Sequence, residues 1–334
     1  MEQARGDDPE AASDGGMNVV GAAEAGADVD NAGAESASVT RVVNADAVAS
    51  AGALDAHRPM LLGLAYRLLG SRHDAEDVLQ EAYLRWFGAN RAAVAEPRRY
   101  LSRVVTRLAM DRLRARQAAR ETYVGPWLPE PVPTDPPPFS PLDRAEQRDS
   151  LAIALLHVLE RLTPPQRAVY VLHAAFELPY AEIAEILDRS PADCRQLQHR
   201  AEARIRQDRR RFTAGPAEQE RLLDAFLAAA RDGDLAALTG LVAQDAIAWT
   251  DGGGRVRAAR NPIVGADRVA RFVAGVYGPR RPVTVRRIEL NGQPGALIGK
   301  PVGTFYALTL AAAAGRITGL YLVGNPEKLP VPPG

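Results

Sequence analysis

Three prolines fall within the six residues Pro126–Pro131, and they decide more about this chain than any other stretch. Each proline fixes φ and biases the residue before it away from the helical region, so a helix arriving from the N-terminal side has to stop here. Tyr123–Pro131 is therefore expected to be extended, with its side chains presented. Trp127, Leu128 and Pro129 are then available to dock, whereas a spacer built for flexibility would be Gly/Ser-rich and carry no Trp. The residues alone leave two readings open: a docking strand, or a stiff spacer whose Trp caps a neighbouring core.

The 334 residues leave room for two or three domains, each with its own core. The single cysteine, Cys194, excludes an internal disulfide and a multi-cysteine zinc site, and its apolar helical position reads as a buried small hydrophobe. Neither a metal nor a cofactor is expected. No apolar run approaches bilayer length, and the N-terminus lacks a basic region followed by an apolar core, so a soluble, cytoplasmic protein with no membrane partner is expected. Only Lys300 and Lys328 of the 41 basic residues are lysines, which makes arginine abundance weak evidence for nucleic acid. Residues 1–45 are rich in Ala, Gly, Asp and Glu without aromatics, and are expected to be a disordered acidic tail.

Two helical blocks flank the proline segment, 46–120 before the linker 121–139 and 140–212 after it. In the first block, Leu61 to Leu69 form an apolar face ending at Gly70, and Ser71 is placed to cap a helix carrying Ala75, Val78, Leu79, Ala82 and Trp86 inward. The other face of that helix is acidic, with Asp74, Asp77, Gln80 and Glu81; a solvated face is its plainest reading. A loop from Gly88 to Glu96, containing Arg91, precedes a helix opened by Pro97. Arg99, Arg103 and Arg107 recur there every four residues, followed by Arg112 and Arg114. Eight Arg against two acids between Glu96 and Arg120 make an electropositive ridge suited to a phosphate backbone.

The second block holds the clearest local signature. Thr163-Pro-Pro-Gln166 reads as an N-cap, a proline at the first helical position and a capping-box glutamine. Tyr180–Leu187, a turn at Asp188–Ser190 and a longer helix from Pro191 then read as a helix-turn-helix. Cys194, Leu197, Ala201 and Ile205 would face inward, leaving Arg195, Gln196, His199, Arg200 and Arg204 outside, with Ser190 at the helix start. Such a second helix meets base edges with its N-terminal residues and phosphates with flanking Arg. A protein-binding helical hairpin is the competing reading.

Together the two blocks resemble an extracytoplasmic-function sigma factor of the bacterial sigma-70 family. The resemblance makes Asp74-Ala-Glu-Asp-Val-Leu-Gln-Glu-Ala-Tyr83 the helix that meets the β′ clamp helices of RNA polymerase core, through Asp74, Asp77, Gln80 and Glu81. It makes Tyr100–Arg116 the promoter-melting, minus-ten-reading segment, places base capture at the Gly88–Glu96 loop, and assigns the helix-turn-helix to the minus-thirty-five element. Promoter DNA and polymerase core are the implied partners.

Residues 217–324 change character, with helices expected at Glu220–Arg231, Asp234–Val242 and Asp267–Tyr277. Strands are expected at Ala246–Thr250, Val283–Leu290, Thr304–Leu310 and Arg316–Val323. This α+β pattern resembles the SnoaL-like cone, so the expected architecture is multidomain: two all-α domains plus an α+β cone, with 325–334 as a tail. Tyr123–Pro131, Asp251-Gly252-Gly253-Gly254-Arg255 and Asn325-Pro-Glu-Lys-Leu329 resemble the motifs of sigma factors carrying a fused cone, where linker and glycine motif form an intramolecular regulatory contact. Catalytic residues are expected to be none. The competing reading is a helix-turn-helix regulator with a small-ligand or cyclase/isomerase-like domain, for which Asp245, Asp251, Asp267, Tyr306 and Tyr321 are the available acids and bases; no His follows His199.

Overall fold

The computed structural model of the protein describes residues 55–90, 93–119, 123–134, 151–279, 283–299 and 305–329. The expected acidic tail, Arg91, the start of the second block at 140–150 and the last five residues lie outside them.

The first block is three helices: α1 (residues 55–69), α2 (Arg72–Phe87) and α3 (Pro97–Ala119). Gly70, at φ +66°, ends α1, and the Ser71 hydroxyl accepts from Asp74 N at 3.2 Å to cap α2, as its place before the apolar repeat implies. The second block holds α4 (Ile153–Leu159), α5 (Pro164–Tyr170) continuing as a π-helical turn to Ala175, α6 (Tyr180–Leu187) and α7 (Pro191–Arg209). Thr163 N donates to Gln166 Oε1 at 3.1 Å and the Thr163 side chain faces the Gln166 backbone amide, the expected capping box. Asp188, left-handed at φ +56°, closes α6, and Ser190 caps α7 through Asp193 N. The inward face of α7 is Cys194, Gln198, Ala201 and Ile205. Leu197 packs half-buried against the same core, as expected, and Gln198 joins the buried face with one amide end on Glu202.

The two blocks are not separate lobes. Leu69, Leu79 and Leu101 belong to the same apolar cluster as Leu156, Val169 and Ile183. Arg167, 1 % exposed, ties the blocks by donating to Arg67 O of α1 while pairing with Glu160 at 2.6 Å.

The C-terminal domain comprises α8 (Pro216–Asp232), α9 (Leu235–Leu241), α10 (Ala266–Tyr277) and a six-stranded sheet in the order β2-β1-β6-β5-β4-β3. The strands are β1 (Val242–Asp251), β2 (Ile263–Val264), β3 (Thr284–Leu290), β4 (Gln293–Gly299), β5 (Phe305–Ala313) and β6 (Arg316–Val323). Only β1 and β6 pair in parallel. This helix-and-sheet arrangement resembles the SnoaL-like folds. The short β2 and all of β4 were not expected. Pro294, Gly295 and Gly299 disguise β4 as loop, while the Asn291-Gly292 turn makes β3–β4 a two-residue hairpin.

The central strands β5 and β6 are buried on both faces, whereas edge strand β3 is largely exposed. One face packs on α8, α9 and α10 around Phe226, Val269 and Leu320. The other packs Trp249, Leu297, Ala307, Ala311, Tyr321 and Val323 against Leu128 of the linker and Ile153 and Ala154 of α4. An antiparallel sheet with one wet face alternates, so the unbroken burial along β5 and β6 marks a face covered by other parts of the chain.

Candidate functional site

The linker runs without helix from Tyr123 to Thr134, bending at Gly125 (φ +85°), and is hydrogen-bonded to α1, the start of α2 and the C-terminal domain. Its centre is Asp251 at the end of β1, 1 % exposed. Asp251 Oδ1 accepts from Tyr123 OH at 2.6 Å and Gly253 N at 3.1 Å. Asp251 Oδ2 accepts from Leu128 N at 2.8 Å and Lys328 Nζ at 2.7 Å. Lys328 also donates to Leu128 O at 2.8 Å and lies 3.9 Å from the centroid of the Trp127 ring, whose cation contacts include Arg116 at 4.6 Å. Gly324 N and Asn325 N close on Asp251 O, and the Asn325 amide reaches Tyr123 OH at 3.2 Å. Gly253, at φ +58°, is where glycine is indispensable: a Cβ there would overlap the Asn325 side-chain amide. Gly252 is buried behind it, and a Cβ on Gly254 would meet the Val124 side chain. Arg255 pairs with Glu327 at 2.8 Å, but both side chains are about two-thirds exposed, so the pair adds little to stability.

Two further anchors follow along the linker. Pro129 is buried, and Glu130 reaches back to the start of α2, accepting from Arg72 N at 2.8 Å, with its own amide on Gly70 O and its carbonyl accepting from Tyr66 OH. A carboxylate there satisfies free helix-start amides, and burial nevertheless pushes its pKa up. Asn291, left-handed at φ +55° in the β3–β4 turn, then holds three parts at once. Its amide donates to Tyr66 OH of α1 at 2.6 Å and Leu151 O at 3.0 Å, and accepts from Val132 N at 2.9 Å. Pro133 bridges Leu290, so the linker lies as a strand fragment along the sheet edge. Asn291 was not among the expected site residues, while Glu130 and Lys328 fall inside the Tyr123–Pro131 and Asn325–Leu329 motifs without being singled out there.

Burial lowers the Lys328 pKa from 10.5 to about 8; the nearby Asp251 and Glu160 oppose that shift and Arg116 adds to it. Burial, then the Asp251 carboxylate, holds the Tyr123 phenol protonated well past its ordinary 10.0. The signs oppose. Between pH 8 and 10.5 an undocked linker with a solvated lysine holds more protons than the docked one, so docking strengthens as pH rises through that window. Beyond about pH 10 the undocked tyrosine loses a proton that the docked one keeps, and docking weakens. Leu128 amide protection, corrected for intrinsic exchange, is expected to peak at about pH 10; a steady decline from pH 7 onward would contradict this account.

The expected polymerase and DNA residues fare differently. On α2, Asp74 accepts from Arg112 and Arg116, and Asp77 from Arg112 at 3.0 Å. Gln80 is exposed and Glu81 pairs with Arg85. On α3, Arg99 reaches Glu185 of α6 at 2.6 Å and Arg107 donates to Ile186 O, while Arg103 is exposed and Arg114 pairs with Asp111. The ridge is thus partly turned onto the helix-turn-helix. On α7, Arg195, Gln196, His199, Arg200 and Arg204 are all exposed and make no hydrogen bond or ion pair among the described residues.

The Sigma-70 region 2 model matches residues 53–119 and the Sigma-70 region 4 model residues 152–205. The chain is 37% identical over 292 residues to the ECF RNA polymerase sigma factor SigJ of Mycobacterium tuberculosis, covering 82% of this chain and 91% of that one. It belongs to the extracytoplasmic-function sigma factors. A second relative, the probable sigma factor SigI of the same organism, is 32% identical over 276 residues, covering 82% and 92%. The likeness extends beyond the two sigma regions: the crystal structure of SigJ matches with a TM-score of 0.65 at 33% identity, covering 83% of this chain and 97% of that chain. The first block is sigma region 2 and the second sigma region 4, and such a protein directs promoter-specific initiation of transcription. Among the described residues no helix is long and apolar enough to cross a membrane, and no cluster of three or more His, Cys, Asp or Glu is placed to hold a metal.

Proposed function

We propose that this sigma factor joins polymerase core through the Asp74–Glu81 face of region 2, reads the minus-ten and minus-thirty-five elements with regions 2 and 4, and is held by its C-terminal domain in an arrangement that cannot read both. The carrying observation is the linker, hydrogen-bonded to region 2 and to the C-terminal domain at once, with Leu128 packed in one cluster with Ile153 and Ala154 at the start of region 4. Distance supports it. The two elements lie some 25 base pairs apart, about 85 Å of duplex at about 3.4 Å per step. A compact body of roughly 150 residues has a radius of gyration near 15 Å. Regions 2 and 4 share one core and the Arg99–Glu185 contact, so they have to part before both elements are read together.

The cyclase or isomerase reading would place an acid or base in the cone. Among the described residues, Asp251 is spent on the linker, Asp245 pairs with Arg211, Asp267 pairs with Arg271, and Tyr321 stacks on Trp249 at 5.0 Å. Of the five candidate acids and bases only Tyr306 lines the cone's cavity. We therefore read the domain as a regulatory, non-catalytic part.

Run-off transcription with purified core polymerase and a pool of genomic promoter fragments tests the proposal. The full-length chain should yield promoter-specific product, Asp77→Arg with Glu81→Arg should remove it, and Gly253→Asp should change its level severalfold. Unchanged output from Gly253→Asp rejects the regulatory contact. An absence of product from every variant rejects the promoter-reading assignment.

A further inference from the structure

We propose that the C-terminal cone is a receptor site for a compact aromatic monoanion, and that the loop 252–260 passes its occupancy to the linker. The inference rests on the regulatory reading of the linker contact. Between α10 and the sheet lies a cavity of about 390 Å³, within the size range of small-molecule sites. Phe272, Val276 and Leu322 give it apolar walls. Its polar side chains are Thr250, Arg257, Arg271, Tyr277 and Tyr306, of which Arg271 is already paired with Asp267 and the Tyr306 hydroxyl donates to Arg257 O. Tyr277, 5 % exposed, lines it without a hydrogen-bond partner among the described residues, and burial raises its pKa, keeping the hydroxyl a donor. Arg257, exposed beside it, has no ion pair among the described residues. No carboxylate lines it. A flat apolar body with one negative group satisfies the walls, the buried donor and the guanidinium together.

Gly275, exposed on α10, leaves open space where a side chain would stand. It lines the same cavity.

The route to the linker is short. Arg257, Ala258 and Ala259 line this cavity on one side and, on the other, a cleft of about 220 Å³ whose far wall is Val124 and Gly125 of the linker. The Thr250 hydroxyl, inside the cavity, clasps Ala259 by accepting from its N at 2.8 Å and donating to its O at 3.1 Å. The next residue, Asp251, holds Tyr123, Leu128 and Lys328. A ligand that moves Thr250 or Arg257 therefore acts one residue, or one loop thickness, from the linker.

Calorimetric titration of the full-length chain with 2-naphthoate and with its uncharged amide, 2-naphthamide, tests the site. Naphthoate should bind with Kd below about 1 mM, and the amide about tenfold more weakly. Arg257→Gln should cost naphthoate about tenfold and the amide little. Gly275→Leu, which fills the mouth, should abolish binding of both while leaving the melting temperature at or above the parent value. Hydrogen exchange at Gly125 and Leu128 should change severalfold on adding naphthoate to the parent chain and stay constant in Gly275→Leu. Absent naphthoate binding, equal affinity for the amide, or binding that survives Gly275→Leu overturns the site; binding with unchanged linker exchange overturns the coupling. None of these readings needs polymerase, so they fail or succeed independently of sigma activity.

Discussion

Asp251→Ala is expected to free Tyr123–Leu128 from the C-terminal domain. The change removes one partner of a buried ion pair, with side chains 10 % and 0 % exposed for Lys328 and Asp251, and breaking such a pair costs about 3–5 kcal/mol because the remaining charge stays buried. It also takes the acceptor from Tyr123 OH and Leu128 N. Leu128 amide exchange should therefore accelerate by about two to three orders of magnitude if local opening governs it. Adding Lys328→Met to the same chain should recover a large part of that loss, since it is the orphaned ammonium, more than the missing bond, that is expensive. Exchange within threefold of the parent chain would mean that the linker is held elsewhere, with the Asn291 turn the first place to look.

Arg167→Met should part region 2 from region 4. Arg167 and Glu160 are 2 % and 8 % exposed as side chains, and the guanidinium donates two bonds to Arg67 O at 3.2 and 3.3 Å. Methionine keeps the packing volume but leaves Glu160 without its guanidinium, for a similar loss of about 3–5 kcal/mol. Because the bonds cross between α1 and α5, the loss falls on the association of the blocks. A lower denaturation midpoint with a larger radius of gyration by X-ray scattering is the expected pair of results. An unchanged midpoint refutes the idea that this arginine joins them.

Local chemistry made the helical blocks legible. Ser71, Ser190 and the Thr163–Gln166 pair announce their helices because a cap is satisfied within four residues of sequence. The linker's extended form follows equally directly from its prolines. What stayed hidden depends on partners far along the chain. Glu130 caps a helix that begins 58 residues earlier, and Asn291 looked like an ordinary hairpin turn until its side chain met Val132, Tyr66 and Leu151. Strand β4 carries Pro294, Gly295 and Gly299, residues that read as loop; Gly295 and Gly299 leave room for close approach by Leu308 O and Thr284. One signal for the latch was present and unused. In a chain with only two lysines among its 41 basic residues, Lys328 stands where a compact ammonium has to meet Asp251, a carbonyl and an indole ring at once. The arginine ridge was visible in the sequence, but its turn onto Glu185 and Ile186 was not, since spacing gives a helix face and not its neighbour.

The doubly buried centre of the sheet also governs how the C-terminal domain can behave if it lets go. Detachment would strip Trp249, Leu297, Ala311, Tyr321 and Val323 of the cover that Leu128, Ile153 and Ala154 now provide. A bared apolar face of this kind drives self-association and precipitation. The domain is thus kept with its own chain by insolubility as well as by affinity, and an opened molecule has to be short-lived or to offer that face to another surface.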